Sequence, residues 1–165
     1  MKTAFTTYLL ALEVAPMAVG QSYQQLPMHC TIMHRFHSAL GAKALVTELG
    51  PIITRTAIVE LLPQNHQAFG PKKQLVTIVD PTPALLALHA ELYQKLNQLG
   101  VQYTESDWVG EGYIGHVTDK QGGRLPVAKP TLSKAIYLIS VEHPLQGSRR
   151  FIEARIALAS NSDSK

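Results

Sequence analysis

Two short segments carry the residues best suited to chemistry. Met28-His29-Cys30-Thr31-Ile32 and Gly115-His116-Val117-Thr118-Asp119 each contain His-x-Thr. Both fall in stretches that read as strands, predicted over residues 28–36 and 113–118. Side chains alternate across a strand, so His29 and Thr31 share one face and Cys30 takes the other. His116 and Thr118 share a face in the same way, with Val117 behind them. Polar groups in front and apolar ones behind fit a strand whose back is buried. Two such strands side by side collect two imidazoles and two hydroxyls in one cleft.

That set suits cleavage of a phosphodiester. One group must take a proton from the attacking oxygen, and another must protonate the leaving oxygen. Two histidines, each with an ordinary pKa near ~6.5, can divide those tasks near neutral pH. Threonine hydroxyls can donate to the non-bridging phosphate oxygens and hold the group in line. The chemistry calls for no cofactor and no metal.

The elements that position these segments alternate between strand and helix. Strands are predicted over 6–14, 28–36, 58–62, 75–79, 101–103, 113–118, 135–141 and 151–158. A helix over 38–49 would take Ser38 as its N-cap and stop at Gly50-Pro51. The strongest helix lies over 82–99, where Leu85, Leu88, Leu92, Leu96 and Leu99 recur every three or four residues before Gly100. Residues 64–73 read as a polar turn, and 119–133 as a loop rich in Gly, Pro, Lys and Arg. No linker divides the chain. It reads as one domain over residues 1–165, in two lobes, with one His-x-Thr in each half.

The chain has 165 residues, 45% of them apolar, enough for one domain with a real core. Charged residues are 16% against ~25% in typical domains, which argues against disorder and against a coiled coil. A single cysteine excludes a disulfide framework and a cysteine-based zinc site within one chain. The net charge of +3 is too mild to indicate a DNA duplex as partner. It hides a segregation: five acids and one base over 91–119, then seven bases and two acids over 120–155. The loop over 120–134 follows the second motif directly and would attract a phosphorylated substrate, with Arg124 as its contact. No apolar run reaches the ~18–20 residues of a membrane span. Glu13 interrupts the first apolar run, so the start reads as a strand rather than a secretory signal. A cytoplasmic location and no membrane partner are expected.

The paired motifs resemble those of the 2H phosphoesterase superfamily, which includes 2′-5′ RNA ligase-like proteins and cyclic nucleotide phosphodiesterases. The resemblance covers most of the chain. It implies an α+β fold: a bilobal, pseudo-two-fold pair of mainly antiparallel sheets with flanking helices and a central cleft holding both motifs. It also implies His29 and His116 as catalytic residues, and Thr31 and Thr118 as phosphate-binding residues. Asp119 departs from the pattern, since the family often has an apolar residue there. The implied activity is metal-independent phosphodiester cleavage of a 2′,3′-cyclic phosphate or a 2′-5′-linked nucleotide or RNA. The alternatives are a non-catalytic RNA- or nucleotide-binding module using the same cleft, and a 2′-5′ RNA ligase running the reaction in reverse.

Other residues are weighed by position. Arg35 shares strand parity with His29 and Thr31 and can meet substrate. Tyr113 precedes the second motif and can stack on a base or pack in the core. His34 has the opposite parity to His29, and His37 lies past the strand, which argues against a metal site of His29, His34 and His37. His66, His89 and His143 read as solvated. Cys30 reads as a small buried residue.

Overall fold

A computed structural model describes residues 6–119, 123–127, 129–142 and 148–160. In chain order its strands are β1 (Thr6–Glu13), β2 (Ser22–Tyr23), β3 (His29–Ser38), β4 (Val59–Leu61), β5 (Pro63–Phe69), β6 (Gln74–Val79), β7 (Gln102–Tyr103), β8 (His116–Thr118), β9 (Thr131–Ser133), β10 (Ala135–Glu142) and β11 (Arg149–Ala157). The helices are α1 (Ala42–Arg55), between β3 and β4, and α2 (Pro83–Gln98), between β6 and β7. Two short 3₁₀ turns, Ser106–Trp108 and Gly110–Gly112, precede β8.

The main sheet runs β2-β11-β10-β1-β3-β8-β6-β5, with β7 also on β3, and every ladder in it is antiparallel. A small sheet pairs β4 with β9. The two lobes meet in the middle of the main sheet, where Cys30 of β3 pairs with Val117 of β8. The α+β, two-lobed architecture is the one expected.

β1 and β10 are apolar almost without a break because both of their faces are covered. One face carries Leu10, Leu12, Cys30, Ile32, Phe36 and Val117, packed with the helices through Leu45, Leu49 and Ile53 of α1 and Leu85, Leu88, Leu92 and Leu96 of α2. The opposite face of the first lobe holds Leu9, Ala11, Tyr137, Ile139 and Ile152 under Met17 and Leu26. α2 begins as its sequence demands: the Thr82 side chain accepts from the Leu85 amide at 3.2 Å, and Pro83 follows it. The chain leaves α2 through Gly100, whose φ of 76° lies in the left-handed region that glycine enters without strain.

Several elements differ from expectation, among them β9, which forms within the stretch expected as a loop. α1 starts after Gly41 and runs through Gly50-Pro51 to Arg55. Pro51 faces solvent, and burial of Ile52 and Ile53 in the core outweighs the missing backbone bond. Ser38 ends β3 instead of capping the helix, and its Oγ accepts from the Leu40 amide at 3.0 Å. The polar stretch expected as a turn contains β5, a sheet-edge strand, exposed along most of its length.

Candidate active site

The Cys30–Val117 pair organises the site. Continuing its antiparallel register by one residue each way sets His29 opposite Thr118 and Thr31 opposite His116. Cys30 and Val117 are buried at 0% and 1% exposure, while the four motif side chains flanking them are partly exposed. All four therefore project from one face. Directly opposed side chains stand ~5 Å apart and diagonal ones ~7–8 Å. The two histidines are on the diagonal, a gap that suits one phosphate between two imidazoles.

Both rings are held alike. His29 Nδ1–H donates to the Pro27 carbonyl at 2.8 Å, and His116 Nδ1–H donates to the Ile114 carbonyl at 3.1 Å. Each bond runs to the residue two places back, so each motif orients its own imidazole. With Nδ1 committed as a donor, Nε2 is the nitrogen that can exchange protons. Burial lowers the His116 pKa from its ordinary value, partly opposed by the bond to Ile114. Cys30, behind the site, has its thiol pushed up to about 11 by burial, which keeps it protonated and unreactive.

Other expected residues fall in different places. Tyr113 is 7% exposed and turns into the core, so it is not placed to stack on a base. Its hydroxyl donates to the Thr31 carbonyl at 2.9 Å, and its ring stacks on His89 at 4.1 Å. It buttresses the first motif from behind. His89 is not solvated: Nδ1–H donates to the Ile32 carbonyl at 2.7 Å, and Nε2 accepts from the Gly110 amide at 2.9 Å. It ties β3 to the turn before β8. Arg124 is exposed and bound to Asp119, both Nε and Nη2 lying 2.8 Å from Oδ2. Its charge is thus partly spent on that carboxylate. Lys120 and His143 lie outside the described residues.

β3 is irregular, and this changes which histidines meet. Thr31 pairs with Ala11 and Phe36 with Tyr8, so five steps on β3 match three on β1. The two extra residues are bulges. They turn Ile32 and Met33 both into the core and bring His34 toward β8. Strict alternation places His34 on the other face, and the bulges overturn that expectation. Its ring stacks on His116 with centroids 6.0 Å apart. Phe69, at the end of β5, packs on His116 at 4.5 Å and on Trp108 at 4.8 Å. Sequence reasoning misses this aromatic cluster, because β5 has no periodic signal and Trp108 lies in an irregular segment. Arg35 keeps its expected face, since two bulges restore the original parity. Among the described residues no group of three or more His, Cys, Asp or Glu is placed to hold a metal.

The fold has known counterparts. It is a two-lobed α+β fold in which a central pair of strands carries both His-x-Thr segments. A crystal structure of a phosphoesterase superposes with a TM-score of 0.64 at 14% identity, covering 93% of this chain and 99% of that one. E. coli LigT complexed with NADP⁺ gives 0.59 at 14%, covering 94% and 98%. TT0787 of Thermus thermophilus gives 0.57 at 11%, covering 94% and 99%. LigT has also been solved with 3′-AMP and with phosphate. The expected resemblance therefore holds at the level of the fold. No protein-family model matches the sequence, and no curated protein matches it. No helix among the described residues is long and apolar enough to cross a membrane.

Proposed function

We propose that this protein is a metal-independent phosphodiesterase of the 2H type. Its substrate is a 2′,3′-cyclic phosphate or a 2′-5′-linked nucleotide or RNA. The observation that carries this reading is the Cys30–Val117 pairing, which sets two His/Thr pairs face to face on one side of the sheet. Likeness to folds solved with nucleotides and phosphate adds support.

Thr31 and Thr118 donate to the non-bridging oxygens and fix the phosphorus between the histidines. His116, its pKa lowered by burial, is neutral near pH 7. In the hydrolytic direction it takes the proton from the attacking water through Nε2. His29 then protonates the departing ribose oxygen. Their Nδ1 bonds to backbone carbonyls stabilise the imidazolium that His29 starts as and the one that His116 becomes.

The test is turnover of 2′,3′-cyclic AMP in the presence of EDTA. His29→Ala and His116→Ala should each slow it by ~10²–10⁴-fold, the usual worth of one general acid or base. Unchanged turnover in either variant overturns the paired-histidine mechanism. Loss of activity to EDTA, restored by a divalent cation, overturns metal independence.

A further inference from the structure

The face that carries the motifs continues past the bulges of β3. Arg35 and His37 lie there, and His37 Nδ1 and Thr7 Oγ1 are hydrogen-bonded at 2.9 Å. The ladders then fix a row across the sheet: His37 opposite Thr7, Thr7 opposite Val141, and Val141 opposite Arg150. Opposed residues share a face, so Arg150 rises from the same side as His29 and Thr31. Its Nη1 donates to the Gln24 carbonyl at 2.6 Å. Arg35, two residues from His37, shares that face with Arg150. Burial, and then the charge of Arg35, lower the Arg150 pKa.

Both arginines are partly buried. Among the described residues neither forms a salt bridge, whereas Arg55, Arg124 and Arg155 each pair with a carboxylate. Two partly desolvated guanidiniums brought together without a carboxylate repel each other. An anion between them removes that repulsion, and guanidinium forks match phosphate oxygens well. The scissile phosphate is not that anion. Arg35 lies four residues beyond Thr31, shortened by the bulges to about two steps of β1 or ~7 Å, and alone could meet the scissile group; Arg150 cannot. Arg150 is three strands further across the sheet.

We propose that Arg35 and Arg150 form a second anion subsite on the catalytic face, holding a phosphate of the substrate other than the one attacked. This rests on the phosphodiesterase reading and narrows its substrate to molecules with two phosphates. The second phosphate is either a terminal 5′-phosphate or the neighbouring diester of a short RNA.

The experiment compares 2′,3′-cyclic AMP, the same nucleotide carrying a 5′-phosphate, and a diadenylate with a 2′,3′-cyclic end. The wild type should favour a two-phosphate substrate by roughly tenfold or more in kcat/KM at low salt. In R35Q/R150Q that preference should vanish, the two-phosphate substrates losing about tenfold more in kcat/KM than plain 2′,3′-cyclic AMP. Which two-phosphate substrate is favoured identifies the source of the second anion. Equal rates on all three in the wild type, or an equal loss on all three in the variant, overturn the subsite. A binding arm is independent of catalysis. Adenosine 2′,5′-bisphosphate should bind the wild type about tenfold tighter than adenosine 2′-monophosphate, and the double variant equally to both. If no substrate turns over but this difference appears, the phosphodiesterase reading fails and the subsite stands. Equal affinities in the wild type overturn it.

Discussion

Replacing His34 by phenylalanine should change how stability depends on pH. His34 stands between His116 and Trp108, with ring centroids 6.0 and 6.2 Å away. Its Nε2 is buried without a hydrogen-bond partner among the described residues. Burial first, then the positive charges of His116, His89, His29 and Arg35, push its pKa down to about 4. The unfolded chain takes up this proton near ~6.5. Between the two values the unfolded state binds more protons, so the His34 contribution destabilises the fold as pH falls through 6.5 toward 4. A gap of roughly 2.5 units at ~1.4 kcal/mol each sets a ceiling of ~3 kcal/mol, of which roughly 2–3 kcal/mol is reached by about pH 4.5.

Phenylalanine keeps the ring and removes the titration. At about pH 7.5 its effect should be neutral or stabilising by ~1 kcal/mol, because an unpartnered buried nitrogen is replaced by carbon. The assay is urea unfolding at pH 7.5 and 4.5, followed by fluorescence of Trp108, the only tryptophan in the chain. Between those pH values the wild type should lose roughly 2–3 kcal/mol more than the variant, a relative midpoint shift of ~1 M at typical urea slopes. The lowered pKa values of His116 and His89 act in both proteins, and because both groups couple to His34 they cancel only in part. A parallel loss in the two proteins would refute the reasoning, since His34 would then accept its proton in the fold at no cost.

Three further outcomes follow from the same structure. If His116 is the base, kcat/KM should fall on the acid side with a midpoint below ~6.5, because its pKa is lowered and it must be neutral to act; a midpoint at or above that value contradicts the assignment. Tyr113→Phe should cost ~1–3 kcal/mol in chemical unfolding by stripping the Thr31 carbonyl of its hydroxyl donor in a buried setting; no loss would show the bond to be dispensable. Cys30, buried and with its thiol pushed up to about 11, should resist iodoacetamide at about pH 8 in the native protein and react once unfolded; ready alkylation of the folded protein would contradict its placement.

How far each feature is legible in the sequence depends on how many strands it needs. The face shared by His29 and Thr31 follows from alternation within one strand, and so does that of His116 and Thr118. The α2 stripe of Leu85, Leu88, Leu92 and Leu96 follows from one helix. That stripe also carries a signal against a solvated His89, which stands four after Leu85 and three before Leu92, on the buried side, where the structure places it. β5 is illegible for a different reason. As an edge strand exposed along most of its length, it has no burial alternation for a sequence to record.

The remaining features require cross-strand register, which no local pattern encodes. The bulges that bring His34 to His116 arise where Ile32 and Met33 both turn into the core, with no glycine in β3 to mark the irregularity. Alternation therefore fails for His34 and succeeds for Arg35 only because two bulges cancel. Arg150 is more remote still. Its place on the catalytic face is the product of three successive ladders, from His37 to Thr7 to Val141 to Arg150. The two His-x-Thr segments are paired and each orients its own histidine, so a motif suffices to reveal them. The arginines of the proposed second subsite are drawn from different strands, and only the register of the sheet brings them to one face.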